Sequence, residues 1–188
     1  MAQLSSPFDL SKDEVKTLAE LAIAAKQKAY CPYSSFQVGA SLLLSTGTYS
    51  TGANVEIAST PVGICAERCA IAPIIASVTR PFPPDPSHAN IPIIRAVAVA
   101  TNIDPPASPC GMCRQFMREF LDKDVKIWMY GKYGYVDDEA DAQAEVKANG
   151  GKRVNGAVVL TMDELLPMSF GPNDMQKNEQ KFRGTSGS

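Results

Sequence analysis

Two short cysteine clusters constrain this chain more than any other feature of its sequence. Cys65-Ala66-Glu67 is followed by Pro109-Cys110-Gly111-Met112-Cys113, and each cluster directly precedes a segment with helical apolar spacing. Cys110 and Cys113 are three positions apart at a helix start, so both thiols lie on one face. Unpaired N–H groups and the positive end of the helix dipole favour thiolate over thiol there. A fold that joins the two helix starts would place three thiolates around one cation.

The rest of the sequence indicates a cytoplasmic protein of one domain. Its 188 residues are 45% hydrophobic and 20% charged, which is ordinary for a soluble domain. Residues 1–9 have neither a basic patch nor an apolar signal core, and no run approaches the roughly 18 apolar residues of a membrane span. With thiols kept reduced, the five cysteines favour metal binding or catalysis over disulfides. The formal net charge of -2 argues against a nucleic-acid partner.

The pattern of strands alternating with helices predicts an α/β layered domain over residues 1–176, with a disordered tail over 177–188. Ser11 and Glu14 form a capping box that begins a helix, which we expect to end at Cys31-Pro32. The other predicted elements, in chain order, are a hairpin of strands 36–44 and 48–55, a buried helix over 66–78, a proline-rich loop over 80–92, a strand over 93–100 covered on both faces, a helix over 111–123, a strand over 125–130, an inserted surface helix or loop over 137–151, a strand over 157–161 and a short helix over 162–166.

The two cysteine clusters resemble the signature of zinc deaminases, H-x-E…P-C-x-x-C, with cysteine in place of histidine. Three protein ligands leave one position of a catalytic zinc open for water, whereas a structural zinc usually has four. Glu67 lies two residues from a ligand, where it can accept a proton from water and return it to a ring nitrogen and a leaving amine. The alternative is that Glu67 only complements the helix dipole.

Four further residues have competing interpretations. Cys69, one helical turn after Cys65, is a possible fourth ligand, but a small buried apolar side chain is the favoured interpretation. We also expect Cys31 to be inert, and His88, the single histidine, to lie in a loop and bind no metal. Arg68 is predicted to hydrogen-bond ligand sulfurs and to offset the net charge of about -1 on a zinc ion with three thiolates. Otherwise Arg68 is a solvated surface arginine.

Three sequence blocks and a closing motif resemble the small homotetrameric cytidine deaminases. The blocks are AYCPYSSFQVGA at 29–40, GANVE at 52–56 with CAER at 65–68, and SPCGMCRQFM at 108–117; the closing motif is ELLPMSFGP at 164–172. The resemblance runs from the first helix to about Asp174. It implies a three-layer α/β/α fold with a central mixed sheet, and one Zn²⁺ per subunit bound by Cys65, Cys110 and Cys113. It also implies hydrolytic deamination of free cytidine and deoxycytidine by a zinc-activated water, with Glu67 as the proton shuttle.

The same resemblance assigns substrate contacts. It implies that Asn54 and Glu56 bind the ribose hydroxyls, which suits an amide and a carboxylate that point the same way at a strand end. It further implies that Phe36 lines the pocket, that the Ala66 backbone N–H meets the pyrimidine carbonyl, and that Phe170 stacks on the base from a neighbouring subunit. The expected protein is therefore a homotetramer of pyrimidine salvage, with sites shared between subunits.

Two positions depart from the family's pattern, and three other functions stay open. Ile57 stands where the family commonly has asparagine and Thr60 where it commonly has tyrosine, in a segment that approaches a neighbouring subunit's site. A nucleoside-like antibiotic of the blasticidin type is the nearest alternative substrate, with Asn54 and Glu56 as the discriminating pair. Polynucleotide deamination would need a basic or aromatic strand-binding surface, of which the low cationic content gives no sign. A silent, zinc-stabilised binding protein is disfavoured by the presence of Glu67.

Overall fold

Six strands form one mixed sheet within the part of the chain that the structure describes. The structure is a computed structural model, and it describes residues 6–79, 90–137, 152–172 and 174. The strands are β1 (Gly39–Leu44), β2 (Tyr49–Ala53), β3 (Ile94–Ala100), β4 (Lys126–Tyr130), β5 (Lys152–Val154) and β6 (Ala157–Thr161). The helices are α1 (Lys12–Lys26), α2 (Ala66–Ala76), α3 (Gly111–Phe120) and α4 (Met162–Leu165), with a 3-10 turn at Thr60–Val62. The strand order is β2-β1-β3-β4-β6-β5.

Helices cover both faces of this sheet, which confirms the three-layer α/β/α prediction. β3 and β4 run parallel and α3 connects them, as a parallel pair requires a crossover. On one face α1 packs over the alternate strand residues Leu43, Ala96, Ala98, Ala100, Trp128 and Tyr130. On the other face α2 and α3 pack over Leu42, Val97, Val99, Ile127 and Met129. β3 is therefore buried on both faces, as its unbroken apolar run predicts.

The first helix ends earlier than the sequence predicts. α1 begins at the expected capping box of Ser11 and Glu14, but it ends at Lys26 instead of at Cys31-Pro32. By Tyr30 the chain has joined the end of β2: the Tyr30 N–H donates to the Asn54 carbonyl at 2.9 Å, and the Glu56 N–H donates to the Tyr30 carbonyl at 2.7 Å. The helix therefore ends because the following chain pairs with residues 54–56, and it ends before the position at which proline would have stopped it.

Within the described residues the other predicted strands and helices are present, mostly with shorter bounds, and one strand was missed. The predicted strand at 157–161 matches β6 at both ends. β5 was missed because it is a three-residue edge strand, although its turn to β6 at Asn155-Gly156 has positive φ values of 49° and 82°. That dipeptide is a strong hairpin signal. Residues 80–89 with His88, most of the 137–151 insertion, and the 177–188 tail lie outside the described residues. No described helix has the length and apolar character needed to cross a membrane.

A close approach of two backbones sets the position of α2 over the sheet. A Cβ atom at Gly52 on β2 would lie 2.5 Å from both the Ala66 carbonyl oxygen and the Ala70 nitrogen of α2. The neighbouring Ser50 hydroxyl donates to the Ala70 carbonyl at 2.8 Å. Only glycine therefore lets α2 lie this close to β2, with Cys65 at its start.

We expect Gly52→Ala to destabilise the protein, because its methyl group would overlap helix backbone that cannot move without shifting α2. Overpacking of this kind costs about 1–3 kcal/mol, which for a chain of this size lowers Tm by about 3–10 °C in thermal unfolding. Thr51→Ala, at an exposed position of the same strand, is the matched control and should change Tm little. Equal losses in the two variants would show that the close approach is not what constrains position 52.

Candidate metal centre

Three thiols from two helix starts meet at one point, as the cysteine spacing predicts. Cys65 is the N-cap of α2, Cys110 is the N-cap of α3, and Cys113 lies in the first turn of α3. Their Sγ atoms all lie within 4.8 Å of one another, and those of Cys65 and Cys110 are 3.9 Å apart. Sulfurs at about 2.3 Å from a tetrahedral zinc ion are about 3.8 Å apart. The donor set and its spacing therefore fit one Zn²⁺ per subunit.

The electrostatics of the cluster favour cation binding. A hydrogen bond from Cys113 lowers the pKa of Cys65 to about 5, with Arg68 and Cys110 adding to the effect. The same interaction, together with burial, raises the pKa of Cys113. The pair therefore holds a proton that a metal ion would displace, since thiolate is the ligand form. Within the described residues neither N-cap thiol bonds its own helix end, which leaves both free to bind metal.

Arg68 contacts the cluster directly. Its Nη2 atom lies 3.7 Å from the Cys65 sulfur. The contact raises the pKa of Arg68, because the guanidinium is stabilised by the neighbouring thiolate. This is the geometry that the predicted role needs: a fixed positive charge beside a metal with three anionic ligands.

Glu67 is buried beside the cluster. It lies in the first turn of α2 with only 3% of its surface exposed, and its Oε2 accepts a hydrogen bond from the Cys113 thiol at 3.6 Å. Burial raises the pKa of the Glu67 carboxyl, with the Cys65 charge acting in the same direction. A carboxyl of raised pKa is suited to take up and release a proton near neutral pH. Complementing the helix dipole, the alternative role of Glu67, does not require burial.

A cavity of about 530 Å³ lies beside two of the thiols, Cys65 and Cys110. Its described lining also includes Arg68, Asn54, Glu56, Ile57, Thr60, Tyr33, Ser34 and Met112. Five predicted site residues are not among those lining residues: the ligand Cys113, the proton shuttle Glu67, and the substrate contacts Phe36, Ala66 and Phe170. Ala66 is fully buried at the first position of α2, where a backbone N–H has no acceptor within the helix. Phe170 is 63% exposed after α4.

Asn54 and Glu56 line the cavity but also hold the chain around it. The Asn54 amide accepts from the Val38 N–H at 2.8 Å and donates to the Phe36 carbonyl at 2.9 Å. The Glu56 carboxylate accepts from the N–H groups of Tyr33 and Ser34, both at 3.1 Å, and from the Ser34 hydroxyl. Sequence reasoning missed Ser34, which has no spacing signal. Both side chains keep unused hydrogen-bonding capacity toward the cavity.

The departures from the family pattern and the two extra cysteines also have defined places. Ile57 and Thr60 both line the cavity. Cys69 is not part of the thiol cluster found among the described residues, and burial raises its pKa, so it stays a thiol. Cys31 is half-buried and likewise outside that cluster.

Comparison with known proteins gives one consistent result. Residues 12–129 match the model of the cytidine and deoxycytidylate deaminase zinc-binding region. A cytidine deaminase from Halalkalibacterium halodurans is 33% identical over 158 residues, which is 84% of this chain and 95% of that protein. A cytidine deaminase from Sporosarcina psychrophila is 33% identical over 131 residues, which is 70% of this chain and 87% of that protein.

Solved structures agree with the sequence comparisons. The crystal structure of a cytidine deaminase from Burkholderia pseudomallei has a TM-score of 0.61 and 30% identity, covering 86% of this chain and all of that one. The structure of a cytidine deaminase from Mycobacterium leprae has a TM-score of 0.55 and 28% identity, covering 85% of this chain and all of that one. The mixed sheet and its helices are therefore an arrangement already seen in cytidine deaminases.

We expect Cys113→Ala to lose bound zinc and Cys69→Ala to keep it, because only the Cys113 thiol belongs to the cluster. Zinc content per chain, with affinity from competition with a chelator, measures the difference. Losing one of three thiolates should weaken zinc affinity by at least about 100-fold, more than is typical for a residue that only supports a ligand. Equal zinc loss in Cys69→Ala would mean a fourth protein ligand, and with it a closed structural site.

Proposed function

This chain belongs to the family of cytidine and deoxycytidylate deaminases, and we propose that it is a zinc-dependent hydrolase converting free cytidine and deoxycytidine to uridine and deoxyuridine. One observation carries the proposal: three thiols that fit Zn²⁺ lie beside the buried Glu67 carboxyl, and two of them, Cys65 and Cys110, line a cavity large enough for a nucleoside. A purely structural zinc site would need neither the cavity nor the buried acid.

The chemistry needs a nucleophilic water and a carrier for two protons. Bound zinc supplies the Lewis acidity that makes water nucleophilic near neutral pH. Glu67 accepts one proton as the water oxygen bonds to C4 of the pyrimidine, and delivers that proton to the ring nitrogen N3. It then moves the proton of the new C4 hydroxyl to the amine, which leaves as ammonia while the C4 carbonyl forms. A buried carboxyl with a raised pKa suits both transfers.

The cavity favours a free nucleoside over a polynucleotide. Arg68 is the one cationic side chain in the described lining, and it already contacts the Cys65 sulfur. Phosphates of a bound strand would therefore find no dedicated partner there. The unused oxygen lone pairs of Asn54 and Glu56 can accept hydrogen bonds from sugar hydroxyls. This pair also separates cytidine from a blasticidin-type antibiotic, which lacks that sugar.

We expect Glu67→Gln to abolish cytidine turnover while zinc stays bound, because the amide cannot carry a proton. General acid–base catalysis contributes about 100- to 10,000-fold, so kcat should fall at least that far. The assay follows the loss of the exocyclic amine by ultraviolet absorbance, with zinc content measured on the same sample. Glu20→Gln is the matched control, since Glu20 is exposed on α1 across the sheet. If zinc-loaded, folded wild type does not turn over cytidine or deoxycytidine, the assignment is wrong.

We propose that the protein is a cytoplasmic homotetramer of pyrimidine salvage, and that its sites are shared between subunits. Phe170 and the open mouth of the cavity support the sharing of sites. Phe170 is 63% exposed and lies outside the described lining of its own subunit's cavity. At the same time Tyr33 and Met112 line the cavity with 63% and 67% of their surface exposed. A neighbouring subunit that covered this apolar mouth with an aromatic ring would complete the site.

Subunit mixing tests the shared site. Phe170→Ala alone should raise KM for cytidine about 5- to 100-fold, because aromatic stacking on a base is worth about 1–3 kcal/mol. Co-expression of Phe170→Ala with Glu67→Gln under different tags yields mixed oligomers, in which an intact Glu67 can meet an intact Phe170 from its neighbour. We expect these mixed oligomers to be more active than the two parents combined. Activity no greater than that sum would place Phe170 in its own subunit's site or outside any site.

A further inference from the structure

The helix that carries two of the zinc ligands also holds the closing segment, residues 165–171. Three side chains of α3 reach this segment. Arg114 donates from Nη1 to the Leu165 carbonyl at 2.9 Å, Gln115 donates from Nε2 to the Phe170 carbonyl at 3.2 Å, and Arg118 donates from Nε to the Ser169 hydroxyl at 3.2 Å. Arg118 lies four residues after Arg114 and three after Gln115, so it is a neighbour of both on the helix surface. The closing segment therefore has its main attachments on α3.

Arg118 and Gly171 form the tightest of these contacts. A Cβ atom at Gly171 would lie 2.7 Å from the Arg118 Cζ atom and within 2.9 Å of both terminal nitrogens, so the guanidinium lies flat against the glycine. Arg118 also donates to the Leu121 carbonyl at 3.3 Å. Gly171 is buried, and its N–H donates to the Asp174 carboxylate at 2.9 Å. Both neighbours of Phe170 in the chain are thus attached.

Phe170 itself combines a fixed backbone with a free side chain. Its carbonyl is bound by Gln115 while its ring is 63% exposed. The preceding chain reverses at Met168, which has a positive φ of 57° and is 99% exposed. A ring presented on an immobilised backbone binds a flat partner without first paying for ordering that backbone. These contacts therefore prepare Phe170 for a partner outside the core of its own subunit.

We propose that Gln115 and Arg118 are positioning residues for nucleoside binding: they hold residues 169–171 so that Phe170 meets the pyrimidine ring bound in a neighbouring subunit. The inference rests on the proposed function and on stacking by Phe170. Arg114 is kept apart from it, because that side chain also donates to the Pro109 carbonyl at 2.7 Å and the Ser108 hydroxyl at 2.7 Å, next to the ligand Cys110. In this proposal Gln115 and Arg118, in the later turns of α3, position the ring that stacks on the base. The first turn of α3 holds the metal ligands.

Two substitutions that disturb the same contact from opposite sides provide the test. Arg118→Ala removes the guanidinium, and Gly171→Ala keeps it but displaces it with a methyl group. In the zinc-loaded, full-length enzyme we expect either change to raise KM for cytidine about 3- to 10-fold through lost preorganisation, with kcat and zinc content unchanged. Arg118→Lys should recover part of the loss through its bond to Ser169. Lys123→Ala is the matched control, because it also removes one positive charge. Lys123 forms only an exposed ion pair with Asp163, so this change should leave KM unchanged.

A double-substitution cycle separates positioning from general stability. In a Phe170→Ala background, Arg118→Ala should raise KM no further, because there is no ring left to position. A full additional effect in that background, or a fall of kcat and zinc content together with the rise in KM, would overturn the inference. Gln115→Ala, which removes a single hydrogen bond, takes the place of either variant that does not fold. If wild type turns over cytidine and Phe170→Ala has the same KM, this inference alone is overturned. If wild type does not turn over cytidine, the proposed function is overturned.

Discussion

The meeting of two helix starts at one point is the constraint on which the rest of this structure depends. Three thiols within 4.8 Å of one another repel as thiolates unless positive charge is near. The positive ends of α2 and α3 and the guanidinium of Arg68 provide that charge before any cation binds. Both helices must therefore lie on the same face of the sheet, with their starts at the same edge. The parallel pair β3–β4 and the close contact at Gly52 produce that arrangement.

Around this point the polar residues of the cavity have structural and chemical tasks at once. Asn54 and Glu56 connect residues 33–38 to the end of β2, so this wall of the cavity is itself hydrogen-bonded. Side chains locked in this way lose little freedom when a ligand binds. Ile57 adds an apolar surface directly beside them.

Local patterns predicted the parts of the structure that depend on local physics. The capping box begins α1, the apolar run of β3 is buried on both faces, and the cysteine spacing gathers the thiols. The predicted end of α1 was wrong, because the pairing of Tyr30 with Asn54 and Glu56 joins residues that are distant in sequence. β5 was missed for its length, although Asn155-Gly156 signalled a hairpin. The contacts of α3 with the closing segment join residues about fifty positions apart and have no periodic signal in the sequence.

α3 is the element in which these requirements come together. Its first turn must hold two thiolates, which the positive end of the helix favours, while Arg118 lies in the last turn, where the negative end favours cations. Arg114 and Arg118 together bind the closing segment through three of the attachments described above. Because a helix of this length bends little, α3 rigidly connects the Cys110 and Cys113 thiols to the residues that hold Phe170. In an assembly with shared sites, one short helix would then set the metal geometry of its own subunit and the position of the base in the next.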